Sequence, residues 1–145
     1  MDPKEKMNWN FIDDQGTFEL DNPQESNYLY FPLVNSEGMM SSITPSLNGD
    51  SKINQNAFLL LPVSVEDLHN SRAARNFWVR INGEPWSVSG NSAYQIYQNT
   101  IGTEEEVRLE AGFLWHRIRR KHCKSGLTAS TLNFVPANGD SVELM

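Results

Sequence analysis

Apolar and polar residues alternate in short runs along this chain, and Gly, Asn, Asp or Pro interrupt the runs every few residues; this is the pattern of β-strands joined by turns. The clearest case surrounds Asn82-Gly83, a pair that tolerates positive φ at both centres of a type I′ turn, so Phe77–Ile81 and Glu84–Val88 read as a hairpin. Period two puts Phe77, Val79 and Ile81 on one face, expected to be core, and Trp78 and Arg80 on the other. Pro85 has no N–H for a ladder, which makes the return strand short or an edge and places Trp86 near the sheet margin. A second hairpin is predicted from Asn8–Ile12 and Thr17–Leu20 around the turn Asp13–Gly16. The longest alternation sets Val107, Leu109, Ala111, Phe113 and Trp115 against Arg108, Glu110 and Gly112, and predicts a long half-buried strand. Its parity switches at Leu114 and Ile118, which a bulge or a crossing between sheets would satisfy.

Between these landmarks, Tyr28–Val34 reads as a strand that Pro32 confines to an edge or a bulge, and Asn35–Gly38 turns the chain into Met39–Thr44. The run 45–56 is polar and without period, the signature of a surface loop. Ala57–Leu61 reads as a buried strand and Ser64–Leu68 as a short helical turn with a serine cap. Over Ser89–Gln98 both a helix capped by Ser92 and a strand are compatible with the residues. Leu127–Val135 and the terminal Ser141–Met145 complete the strands, with a turn at Asn138-Gly139-Asp140. The expected fold is mainly β: an antiparallel β-sandwich with at most two short helices, in a single domain spanning 1–145.

A net charge of −6 argues against a surface built to neutralise nucleic-acid phosphates. The one basic cluster, His116–His122, reads as a solvated strand end. A lone Cys123 forms no intrachain disulfide and favours a reducing compartment. The charged start at Met1–Lys6 leads into no apolar signal segment, and the apolar run from Ala57 to Val63 is too short to span a bilayer, so a cytoplasmic protein without membrane contact is expected.

Candidate chemistry is sparse. The three histidines and Cys123 lack metal-ligand spacing, so no metal site is expected, and there is no phosphate-binding glycine loop and no nucleophile elbow. No catalytic residue and no cofactor is assigned. Thr103–Glu106 reads as an exposed loop. Four tryptophans offer apolar ring faces with a polar edge, which suits a protein core and also the C–H face of a sugar. A sugar-binding site would use Trp86, the tryptophan nearest an edge, with Trp78 for stacking and Arg75 and Asn91 for hydrogen bonds.

Several stretches resemble the N-terminal region of cellobiose-phosphorylase-like proteins (glycosyltransferase-36 type, glycoside hydrolase family 94). They are Asn8-Trp9-Asn10-Phe11, Tyr30-Phe31-Pro32-Leu33, Met40 to Pro45, Ala74-Arg75-Asn76-Phe77-Trp78, Trp86-Ser87 with Gly90 to Ala93, Leu109 to His116, and Asn133-Phe134-Val135-Pro136. The resemblance covers nearly the whole chain and lies in strand and turn motifs. It implies a β-sandwich that precedes an α/α barrel carrying the general-acid aspartate, and this sequence ends before such a barrel. The expectation is therefore a non-catalytic N-terminal module or fragment of a β-glucan or cellobiose phosphorylase-like enzyme, partnered by the missing barrel or by self-association through Phe134-Val135 and Val142–Met145. The alternative is a free-standing lectin-like module that binds a β-glucan oligosaccharide.

Overall fold

Strands form where polarity alternates, and side-chain oxygens close the turns between them. In β1 (Trp9–Phe11) and β2 (Phe18–Asp21), the Asp13 carboxylate accepts the backbone N–H of Gln15 and of Thr17, each at 2.9 Å, and so fixes the intervening turn. The computed structural model describes residues 8–26, 29–60, 74–101 and 105–145. The helical turn expected over Ser64–Leu68 lies outside them.

Among the described residues, strands form three antiparallel sheets. The five-stranded sheet has the order β1-β2-β9-β10-β11, with β9 at Glu106–Gly112, β10 at Trp115–Lys121 and β11 at Thr128–Phe134. The four-stranded sheet runs β3 (Phe31–Val34), β4 (Met40–Ile43), β5 (Ser51–Asn54), β6 (Ala57–Phe58). A separate ribbon pairs β7 (Trp78–Ile81) with β8 (Glu84–Ser87) through Asn82 (φ 51) and Gly83 (φ 94), as the Asn-Gly turn predicts. Pro32 sits in β3, an edge strand, where its missing N–H breaks no interior ladder. The mainly β expectation holds, with one α-helix, α1 (Ala93–Thr100), and a single 3-10 turn, Pro23–Glu25, among the described residues; Ser92 caps α1 by accepting the Gln95 N–H at 3.1 Å. No helix among these residues is long and apolar enough to cross a membrane.

Two apolar clusters fill the space between the larger sheets. Leu20, Val107, Leu109, Ala111 and Ile118 face inward from the five-stranded sheet, and Leu33, Met39, Ile43, Leu47 and Val135 form the other cluster. Phe31 packs against both, which makes the two sheets the layers of a sandwich. Each fully buried side chain of this size contributes about 1.5–3 kcal/mol from apolar burial.

Several expectations are corrected. The long strand expected over 107–115 is two strands: Gly112 pairs with Trp115 across a two-residue turn, Phe113-Leu114, and this turn is the cause of the parity switch. The segment 45–56 is not a surface loop; Leu47 and Asn48 are buried and Ser51–Asn54 is β5, because partners distant in sequence satisfy its polar groups. Ala57–Phe58 is an exposed edge strand, not a buried one, because β6 closes one side of its sheet. Phe77 is exposed and Val79 and Ile81 only half-buried, since the ribbon is a sheet of its own. At the C-terminus Val135 is buried and Phe134 exchanges backbone hydrogen bonds with Leu144, so this edge is partly closed.

Candidate functional site

The polar residues concentrate in two interior networks. The first lies between the sheets, where Arg75 Nε pairs with Glu143 Oε1 and both side chains are about nine-tenths buried. Arg75 Nη2 donates to Ser41 Oγ at 2.7 Å and to the Asp50 carbonyl at 3.3 Å, while Ser41 Oγ donates to Glu143 Oε2 at 2.8 Å. Asn133, on β11, donates to Glu143 Oε1 at 3.4 Å. Its cross-strand neighbour His116 is fully buried, and Phe31 lies 5.2 Å from the imidazole. Burial, reinforced by the Arg75 charge, lowers the His116 pKa to about 4.

The second network joins the ribbon, α1 and β10. Glu105 accepts from Trp86 Nε1 at 2.8 Å, from Gln95 Nε2 at 3.0 Å and from Arg120 Nη1 at 3.2 Å. Arg120 is 2% exposed and Glu105 7%, so this is a desolvated ion pair. Burial lowers the Arg120 pKa from its ordinary value, against the opposing effect of the Glu105 charge. The guanidinium also donates to the carbonyls of Val88 and Ser89, at 3.2 and 3.4 Å. Gly90 is required beside it, because a Cβ there would fall on the guanidinium and its φ is +79. Ser87 and Ser89 both donate to Asn76 Oδ1, at 3.0 and 2.9 Å, which ties the ribbon to the strand entry.

The residues expected to bind sugar do not converge on one groove. Trp86 is 3% exposed: its N–H is held by Glu105 and its ring meets His122 edge-on, 5.5 Å between centroids. This corrects its expected position at an open margin; Pro85 is exposed, but a partner from another segment covers its neighbour. Trp78 is 50% exposed and points to the opposite face of the ribbon, since Trp86 pairs with Val79 and Trp78 with Ser87. Arg75 is committed to Glu143. Asn91 donates to the Ser46 carbonyl at 2.7 Å and to Asn48 Oδ1 at 2.8 Å.

The other ion pairs among the described residues lie toward the surface. The basic cluster splits by strand parity: His116 and Arg120 point inward, while Arg117 and Arg119 share Glu110 and Lys121 meets Glu106. Cys123 is exposed, and His122 Nδ1 lies 2.8 Å from Ser125 Oγ within a turn. Among the described residues no group of three His, Cys, Asp or Glu is placed to hold a metal ion. Two surface grooves, of about 430 and 470 Å³, are lined by residues outside both networks. Sequence reasoning missed Glu105, Gln95, Asn133 and Glu143. For Glu105 a signal existed, because it is in phase with Val107, Leu109 and Ala111. Comparison with known proteins adds nothing to this geometry: no protein-family model and no curated protein matches the chain.

Proposed function

We propose that this chain is a non-catalytic N-terminal module of a carbohydrate-active enzyme of the cellobiose- and β-glucan-phosphorylase kind. One observation carries the reading. Six polar side chains within the stretches that resemble that family, Ser41, Arg75, Asn76, Ser87, Asn91 and Asn133, take part in interior hydrogen bonds that hold loops to the sandwich. Residues used as acceptors and donors for buried backbone and side-chain groups serve a scaffold, and catalysis would need them turned toward a cleft.

Two assays test this. The purified chain, supplied with inorganic phosphate and cellobiose or a β-glucan, is expected to release no glucose 1-phosphate above the blank, and release by this chain alone would overturn the non-catalytic assignment. Mixed with the separately expressed α/α barrel of a cellobiose-phosphorylase-like enzyme lacking its own N-terminal region, the chain is expected to co-elute; failure to associate would remove the module reading. The lectin-like alternative retains Trp78 as its only solvent-exposed candidate, and no observation favours it.

A further inference from the structure

Glu143 is received by donors that belong to the body of the sandwich. Its Oε1 accepts from Arg75 Nε and from Asn133 Nδ2 at 3.4 Å, and its Oε2 from Arg75 Nη2 at 2.5 Å and Ser41 Oγ at 2.8 Å. Ser41 lies in β4 and Asn133 in β11, and the Arg75 N–H donates to the Leu47 carbonyl at 2.9 Å, so all three are positioned without the segment that carries Glu143. The guanidinium is itself aimed by the Gly49 and Asp50 carbonyls, at 3.5 and 3.3 Å. Two donors of one planar guanidinium, a hydroxyl and an amide, all on the two oxygens of one carboxylate, make a built carboxylate receptor.

The segment that fills this receptor is held lightly elsewhere. Its root is fixed where Asn35 Nδ2 donates to the Asp140 carbonyl at 3.1 Å and Ser141 Oγ to the Glu37 carbonyl at 2.6 Å. Past the root it makes one isolated bridge among the described residues, in which Phe134 and Leu144 exchange backbone bonds of 3.0 and 2.9 Å. Val142, Leu144 and Met145 stay 37%, 44% and 60% exposed, so apolar burial adds little and the carboxylate is the main attachment. An element with few buried apolar contacts and a single bridge belongs to the part of a fold that opens locally. Nor does Glu143 exhaust the wall around it. Asn133 Oδ1 and both ring nitrogens of its cross-strand neighbour His116 are buried without a hydrogen-bond partner, so the wall keeps hydrogen-bonding capacity that Glu143 does not use.

We propose that Arg75, Ser41 and Asn133 form a carboxylate-binding site with an exchangeable occupant: the segment 142–145 swings out, and an acidic residue of an extended peptide from another molecule takes the place of Glu143. The ligand class follows from the charge. A guanidinium nine-tenths buried demands an anion, and its paired donors fit the planar, two-oxygen carboxylate. The peptide is extended, because the residue after the acid meets the Phe134 edge of β11 as Leu144 does, with one backbone N–H and one carbonyl. From there β11 continues as an edge strand of seven residues, Thr128–Phe134, with no Pro, no charge and no bulge against β10 to refuse a longer strand. This inference goes beyond the module reading and does not depend on it.

Glu143→Ala removes the occupant and keeps the receptor. Acetate at about 0.3 M should raise the thermal midpoint of this variant by about 3–5 °C over chloride of equal ionic strength, as a ligand at about ten times its Kd does. It should not do so when Glu143→Ala is combined with Arg75→Met. A blocked peptide of residues 141–145 should bind Glu143→Ala, and the same peptide with glutamine in place of its glutamate should bind at least about tenfold more weakly. In the wild type, the Phe134 and Leu144 amides should exchange with deuterium at least about a hundredfold faster than the amides shared by β10 and β11, a measurement that stands even if the variant does not fold. A midpoint that acetate raises equally in both variants would overturn the proposal. So would equal binding of the two peptides, binding of neither, or Phe134 and Leu144 amides that exchange only at the rate of global unfolding.

Discussion

His116 makes a strong demand on the conditions under which this fold survives. Its ring is fully buried, neither ring nitrogen has a hydrogen-bond partner in the protein, and its pKa is lowered to about 4. The groups facing it are Asn133 across β10–β11, Phe31 from the other sheet, and the Arg75–Glu143 pair, whose positive member adds to the disfavour against a second cation. In the unfolded chain an ordinary histidine titrates near 6.5. Between pH 6.5 and about 4 the unfolded state therefore holds one more proton than the native state, and the stability to unfolding falls as pH falls. The window is the difference between 6.5 and about 4, and at 1.36 kcal/mol per unit it amounts to about 3 kcal/mol. Above pH 6.5 this dependence vanishes; below about 4 it is complete.

Urea denaturation from pH 4 to 8, on the wild type and on His116→Leu, isolates this effect from that of the carboxylates, since both proteins share the latter. The wild type is expected to lose about 3 kcal/mol more than the variant across the window. Equal pH slopes would refute the argument. So would an imidazole proton signal for His116 that titrates near 6.5 in the folded protein.

Two further outcomes follow from the second network. Glu105→Gln leaves the Arg120 guanidinium charged and uncompensated in the interior, and should cost about 3–5 kcal/mol in urea unfolding, whereas Glu105→Gln combined with Arg120→Met should recover part of that loss. Gly90→Ala places a Cβ on the Arg120 guanidinium at a φ of +79 and should lower stability by at least about 2 kcal/mol by thermal unfolding, with the tryptophan emission of Trp86 shifted toward that of a solvated ring.

Features fixed by neighbouring residues were legible in the sequence. Asn82-Gly83 made its hairpin because the turn chemistry is local, and Pro32 went to an edge because its missing N–H forbids anything else. The Phe113-Leu114 turn was illegible as a turn, since neither residue favours one; only the parity switch recorded it. The segment 45–56 looked like a solvated loop because polarity was visible and its partners were not. Asn48 meets Asn91 and the Asp50 carbonyl meets Arg75, contacts 43 and 25 residues apart. Trp86 failed for the same reason: its burial is decided by Glu105, 19 residues away. Glu105 and Arg120 were within reach, because each lies in phase with inward apolar residues of its strand, Val107 and Ile118. Their charge outweighed their parity in the reading.

Why a small sandwich should keep two buried ion pairs is a question of geometry before it is one of stability, since a buried pair often contributes no more than apolar residues of the same volume. Each arginine here does something a leucine or methionine cannot. Arg120 donates to the carbonyls of Val88 and Ser89, and Arg75 to those of Gly49 and Asp50, in segments outside the strands. A buried carbonyl without a donor costs about 1–3 kcal/mol; the Asp50 carbonyl also accepts the Ser42 N–H, so the guanidinium donors matter most at the carbonyls of Gly49, Val88 and Ser89. The planar guanidinium supplies several donors in fixed directions, and one carboxylate neutralises it. The glutamates are thus secondary to the arginines, and the arginines to the loops. Positions 49–50 are where the chain enters β5 and 88–90 where it leaves β8, and the interior charges hold those junctions in one conformation.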